Sequence, residues 1–243
     1  MTVQSVSPTI VLAHAAWFDG SSWNKVIFEL QQRGHGAVAA QLPLTSLTAD
    51  VETVRRLVAR QKGPVILAGH SYGGAVITAA GAGTDNVKAL VYVSAIVPDH
   101  AETVGQIFGR TAPHPKAPAL QPDADGFFWL DVDDFRNAVT PDTLREETAQ
   151  LAAVQKPINV KCLDEPLGKA AWHEKPSWFL IAENDRMLSP DTQRFTAERM
   201  RSTVVSLPVD HVPLTSKPEA VVEIIGKALK SVEHSVSAPN QVA

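Results

Sequence analysis

Short continuous apolar runs alternate along the chain with stretches whose apolar positions recur every three or four residues. The runs are TIVLA (9–13), AVAA (37–40), VILAG (65–69), ALVYVSA (89–95), SWFLIA (177–182) and TVVSL (203–207). Each is strand-length and lacks the alternation of a half-solvated strand, the pattern of parallel strands covered on both faces. Between them, Trp23, Val26, Ile27 and Leu30 share a helix face, as do Leu47, Val51, Val54 and Val58. Ser189-Pro190 predicts a cap followed by proline at the first helical position, and Ser216 with Glu219 has capping-box spacing before AVVEIIGKAL. Strand and helix alternating at this rhythm predict an α/β fold with a doubly wound, mostly parallel sheet. The polar tail SVEHSVSAPNQVA is expected to fray.

The rhythm fails between His100 and Lys175. That stretch holds prolines, the acidic-aromatic segment DADGFFWLDVDDF, and two helical patches around 141–153 and 161–171. Placed between consecutive sheet strands, on the side where ligands bind, it reads as a mainly helical cap over a site. The expected division is therefore a core of 1–99 and 176–243 with a cap insertion of 100–175.

Composition narrows the function classes. The net charge of −4 comes with no basic block, which points away from nucleic acid. Cys162 is the single cysteine, so no internal disulfide can form, and its surroundings suggest an incidental thiol. The N-terminus lacks the positive region of a signal peptide, and no apolar run approaches the roughly 20 residues that span a bilayer. These features predict a cytoplasmic protein without a membrane partner. The acidic cluster Asp123, Asp125, Asp131, Asp133 and Asp134 lacks EF-hand spacing, since Gln121 and Val132 would fill the first and last ligand positions. No His/Cys group has zinc spacing, and GHSYGG lacks the phosphate-loop lysine. No cofactor and no metal are expected.

The chemistry centres on Ser71. A serine hydroxyl attacks a carbonyl only if it protrudes from the chain and a base takes its proton. A sharp strand-to-helix turn makes it protrude, and the residues two before and two after must then be tiny; Gly69 and Gly73 satisfy this, and Gly74 adds room. The five letters G-x-S-x-G alone are weak, but PVILA before and AVITAAGAG after supply the strand and helix the motif needs. Of eight histidines, His211 directly follows the last run and precedes the last helix, which makes it the candidate base. Asp185, just past the run 177–182, is the candidate acid that orients the imidazole; Asp99 rivals it and Glu183 lies close by. Asp210 reads as a solvated or loop-fixing neighbour. The backbone N–H of Tyr72, at a helix start, and that of Ala16, in the loop after the first run, are the candidate oxyanion donors. His14 reads as a loop brace. Trp17, Trp129 and Trp172, with Phe127 and Phe128, are candidates to line an apolar acyl or alcohol pocket, against the plainer alternative of packing.

With these residues in view, the chain resembles a small serine α/β-hydrolase of the bacterial esterase-like branch related to plant methylesterases and hydroxynitrile lyases. The likeness spans about residues 9–230. It rests on HAAW for the family's oxyanion loop, GHSYGG for the nucleophile elbow, ENDRML for the acid loop and DHVPLTSKPEAV for the histidine loop. It implies a cap after the fourth strand and a small-molecule, ester-like substrate. Two departures stand out. Ala15 occupies a position where relatives usually carry glycine, which puts the shape of the oxyanion loop in question. Val212 stands where the hydroxynitrile lyases carry a lysine that stabilises departing cyanide, which counts against that activity. Lactone, carbamate or amide hydrolysis, lyase or carbon–carbon bond chemistry, and a ligand-sensing role are the alternatives.

Overall fold

A computed structural model of the chain describes residues 7–237. In chain order the elements are β1 (Thr9–Ala13), α1 (Asn24–Gln32), β2 (Gly36–Ala39), α2 (Leu47–Ala59), β3 (Val65–His70), α3 (Tyr72–Ala80) and β4 (Val87–Val93). The segment before the next sheet strand carries α4 (Val104–Phe108), β5 (Phe127–Phe128), α5 (Val132–Asp134), α6 (Arg145–Ala153), β6 (Ile158–Asn159) and α7 (Lys161–Asp164). The chain then returns through β7 (Ser177–Ala182), α8 (Pro190–Arg199), β8 (Thr203–Leu207), α9 (Pro213–Ser216) and α10 (Pro218–Ser237).

Six strands form one parallel sheet in the order β2-β1-β3-β4-β7-β8. Helices α1 and α10 pack together on one face, while α2 and α3 pack together against β1 and β3. The four central strands are almost wholly buried, because helices cover both their faces; edge strands β2 and β8 remain partly open, although their sequences are as apolar. The strand order reverses beside β1 and β3, and a crevice at the carboxyl ends of strands forms at such a switch point.

Register sets the site. Ala13 pairs with Gly69, so the loop after β1 lies beside the turn that carries Ser71. Ala182 pairs with Leu207, and Asn184 N–H donates to Val209 O, so the loops after β7 and β8 run together.

Several local expectations change. Run 89–95 is a strand only from Val87 to Val93, because Ser94 turns out of it with φ 46°. The helical patch 161–171 shrinks to α7, since Pro166 and Gly168 interrupt it, and a 3-10 turn at Ala171–His173 follows. Ser189 does cap α8, accepting from Asp191 N–H. Ser216 does not cap α10: it ends α9 and donates to Asp210, while Pro218 opens α10. The tail expected to fray is helical through Ser237, and its remaining residues, like the first six of the N-terminus, lie outside the described residues. No helix among the described residues is long and apolar enough to cross a membrane.

Candidate active site

Ser71 sits between β3 and α3 with φ 51° and ψ −118°, a conformation that L-residues rarely adopt. Its N–H donates to Val93 O, and its carbonyl accepts from Gly74 and Ile96, so the strained turn is held from both sides. The flanking glycines are steric necessities. A Cβ on Gly69 would lie 2.5 Å from Gly73 O, and one on Gly73 would collide with the Ala13 carbonyl. Gly73→Ala is expected to lower stability by about 1–3 kcal/mol through this overpacking, read as a shift in the urea midpoint.

Around Ser71 the fold brings three predicted residues together. His211 Nε2 lies 3.0 Å from Ser71 Oγ, and His211 Nδ1 lies 2.7 Å from Asp185 Oδ2. All three are buried. The arrangement assigns the proton on Nδ1 to the Asp185 bond and leaves Nε2 to accept from the serine hydroxyl. Asp185 is itself fixed by Met187 N–H and Leu188 N–H on Oδ1 and by the Gln193 amide on Oδ2, each at 2.8 Å. Asp99 is elsewhere: it accepts from His173 Nε2 at 2.8 Å and from His100 N–H. Glu183 pairs with Arg194. Asp210 is loop-fixing rather than solvated, since it is fully buried and accepts from Asp142 N–H, Val212 N–H and Ser216 Oγ. Burial raises its carboxyl above the usual range.

A second layer escaped sequence reasoning. His70, inside the elbow motif, donates from Nε2 to the His211 carbonyl at 2.7 Å and holds that loop down. Burial, then the neighbouring His211, drive His70 well below the ordinary imidazole range, so it stays neutral. Tyr72 places its hydroxyl 2.6 Å from Asp50 Oδ2, and Leu44 N–H donates to Asp50 Oδ1 at 2.8 Å. Asp50 is fully buried and its carboxyl is raised by that burial. The same carboxylate meets Cys162 Sγ at 3.7 Å, and burial pushes this thiol up to about 12, leaving it unreactive. The only clue in the sequence to this anchor was an aspartate on the otherwise apolar face of α2.

The N–H groups of Ala16 and Tyr72 find no acceptor among the described residues, and both residues border the space beside Ser71. The left-handed residue of the β1 loop is Trp17, at φ 62°, and not Ala15, so a methyl group at 15 is accommodated. His14 braces this loop: Nδ1–H donates to Ala15 O and Nε2 accepts from Leu42 N–H. Burial lowers its pKa to about 4.

These two histidines predict an acid-sensitive fold. Their folded pKa values lie below the unfolded value near 6.5, so the unfolded chain takes up protons first as pH falls. Stability is then lost from pH 6.5 downward, at about 1.4 kcal/mol per pH unit for each group. Asp50 and Asp210, raised by burial, act oppositely once pH enters the carboxylate range. Urea unfolding at pH 7, 6 and 5 is expected to show this slope, and His14→Gln to make it shallower.

A small apolar cavity of about 40 Å³ opens on Ser71 and His211. Its walls are Ala16 and Trp17 from the β1 loop, Ile96, Met187, and Phe108, Leu120, Phe128, Ile158 and Leu163 from the segment between β4 and β7. Trp17 ties loop to segment by donating from Nε1 to Phe128 O at 3.0 Å. Two sequence candidates are corrected. Trp129 is 54% exposed and its indole donates to Asp123, because an extended chain that points Phe128 inward points the next residue out. Trp172 lies on the 3-10 turn before β7, stacked on His173 with ring centroids 3.7 Å apart, away from the cavity. Phe108, Leu120, Ile158, Leu163 and Met187 carry no directional signal in the sequence, since the elements and loops that hold them are too short for apolar spacing to define a face.

With strained serine, imidazole and carboxylate in one chain, the site has the parts for acyl transfer. A family model described as "Alpha/beta hydrolase family" matches residues 10–224. An alpha/beta hydrolase of Aspergillus novofumigatus, nvfD, is 26% identical over 92% of this chain and 97% of its own. A carbendazim hydrolyzing esterase of a Nocardioides species is 32% identical over 42% of this chain and 48% of its own. Among solved structures, a pyrethroid hydrolase from Sphingobium faniae superposes with TM-score 0.81 at 24% identity, covering 93% of this chain and 98% of that one. Polyneuridine aldehyde esterase superposes with TM-score 0.80 at 17% identity, over 94% and 100% of the two chains. The sheet order, the elbow at Ser71 and these matches agree: the chain belongs to the alpha/beta hydrolase family.

Proposed function

We propose that the protein is a serine hydrolase that cleaves a small carboxylic ester through an acyl-enzyme intermediate. The observation that carries this reading is the hydrogen-bond chain Ser71–His211–Asp185, with links of 3.0 and 2.7 Å, at the mouth of an apolar cavity. In the forward half-reaction Ser71 Oγ bonds to the carbonyl carbon while its proton passes to His211 Nε2. The negative charge that develops on the carbonyl oxygen is met by the N–H groups of Ala16 and Tyr72, the latter at the positive end of α3. As the carbon–oxygen bond to the alcohol breaks, His211 returns the proton to the departing oxygen. Water then attacks the acyl-enzyme, giving its proton to His211, which passes it to Ser71 Oγ as the bond between that oxygen and the acyl carbon breaks and the acid leaves.

Residues 100–175 act in this reading as a cap that keeps the cavity dry. No cofactor enters the scheme. Val212, fully buried beside His211, offers no cation for departing cyanide, which argues against the lyase alternative. The single buried cysteine suits a reducing, cytoplasmic setting. The test is stoichiometric labelling with a fluorophosphonate while p-nitrophenyl acetate hydrolysis is followed. Label is expected on Ser71, with activity falling in proportion; activity surviving complete labelling sinks the reading.

A further inference from the structure

We propose that the substrate joins a short, uncharged acyl group to a bulky alcohol, and that the alcohol leaves the cavity at Ser71 for an adjoining groove. This rests on the serine hydrolase reading above. The cavity at Ser71 measures about 40 Å³, whereas a groove of about 400 Å³ lies directly against it. The two share Phe108, Leu120 and Met187, which form a partition between them. Beyond the partition the groove is walled by Gly109, residues 111–114 and 117–119, Gln121 and Ser189.

The chemistry decides which half of an ester faces the groove. The carbonyl oxygen must point at the N–H groups of Ala16 and Tyr72. Trp17, next in the chain to the Ala16 donor and bonded through its indole to Phe128 O, and Ile158, paired with Phe128 across the β5–β6 ribbon, wall the cavity. A cavity of about 40 Å³ leaves little room for a growing acyl chain. The alcohol oxygen, by contrast, must receive the proton held on His211 Nε2, so it departs on the His211 side. Met187 belongs to that side: its N–H donates to Asp185 Oδ1, and the other oxygen of the same carboxylate holds His211. The groove runs off past Met187 and Ser189, the path the alcohol would follow.

Polarity agrees. His211 is the one titratable wall group near the reacting serine besides the Tyr72 phenol, whose hydroxyl is committed to Asp50, so an ionised acyl group would be buried there without a partner. The groove offers Thr111, His114, Gln121 and Ser189 among its apolar residues, which suits an alcohol that carries hydroxyl or ether groups as well as rings.

Two isomeric probes separate the orientations. 2-Naphthylmethyl acetate has a small acyl group and a large alcohol; methyl 2-naphthylacetate has the same atoms with the ester reversed. The wild-type kcat/KM is expected to be at least tenfold higher for the acetate, and Leu120→Trp, which narrows the partition, to shrink that ratio at least fivefold. Equal rates, a preference for the methyl ester, or a ratio indifferent to Leu120→Trp overturns the proposal. Turnover of p-nitrophenyl acetate with neither naphthyl isomer accepted also overturns it while the hydrolase reading stands. If p-nitrophenyl acetate is inert as well and fluorophosphonate leaves Ser71 unlabelled, it is the hydrolase reading that has failed.

Discussion

Ser71→Ala is expected to lower kcat/KM for p-nitrophenyl acetate by about 10⁴-fold or more, the scale on which serine hydrolases lose activity without their nucleophile. The variant removes one oxygen atom and one hydrogen bond, the 3.0 Å contact to His211 Nε2. The Ala16 and Tyr72 donors and the cavity walls remain, so a small residual rate above uncatalysed hydrolysis is expected from them. Urea unfolding should show a stability close to wild type, because Ser71 Oγ is otherwise unbonded and its backbone contacts to Val93, Gly74 and Ile96 do not involve the side chain. A folded variant keeping a hundredth of wild-type activity would remove Ser71 from the mechanism.

Asp185→Asn should be nearly as damaging to rate, about 10⁴-fold in kcat, for a different reason. An amide in place of the carboxylate presents an N–H₂ group to His211 Nδ1, which favours the tautomer with its proton on Nε2. That nitrogen can then no longer accept from Ser71. Four donors converge on the native carboxylate, from His211, Met187, Leu188 and Gln193, and an amide has a single acceptor oxygen to share among them. An accompanying stability loss of about 1–3 kcal/mol is expected from the donors left unpaired. Asp99→Asn is the matched control. Its carboxylate serves His173 and the His100 N–H, so kcat/KM should not change while the negative charge facing His173 is lost. The opposite pattern of the two variants would make Asp99 the acid.

The sheet was legible because a strand covered on both faces must be apolar throughout, and VILAG or SWFLIA admits few other readings. Runs 9–13, 177–182 and 203–207 became strands with the same ends. The order of Ser71, Asp185 and His211 was legible for a related reason: each stands just beyond the end of such a strand, where loops at one edge converge. What lay between β4 and β7 was not legible. Its strands are two residues long and its α-helices three to nine, too short for a period to establish itself, and Pro166 and Gly168 cut a helix that composition alone suggested. Aromatic identity is no guide to direction there: of the aromatic candidates Phe127, Phe128, Trp129 and Trp172 only Phe128 lines the cavity, and Leu120, which carries no such signal, lines it too. Asp50 was illegible as well. A buried carboxylate announces itself only when its partners, here Leu44 N–H and the Tyr72 hydroxyl, arrive from distant parts of the chain.

The backbone angle at residue 71 carries one last implication. A serine held at φ 51° occupies a region where its own Cβ is a burden and where glycine would rest at ease. Ser71→Gly should therefore yield a molecule that melts higher than its parent while doing no chemistry. A laboratory selection that rewarded only heat resistance would drift toward that inert relative.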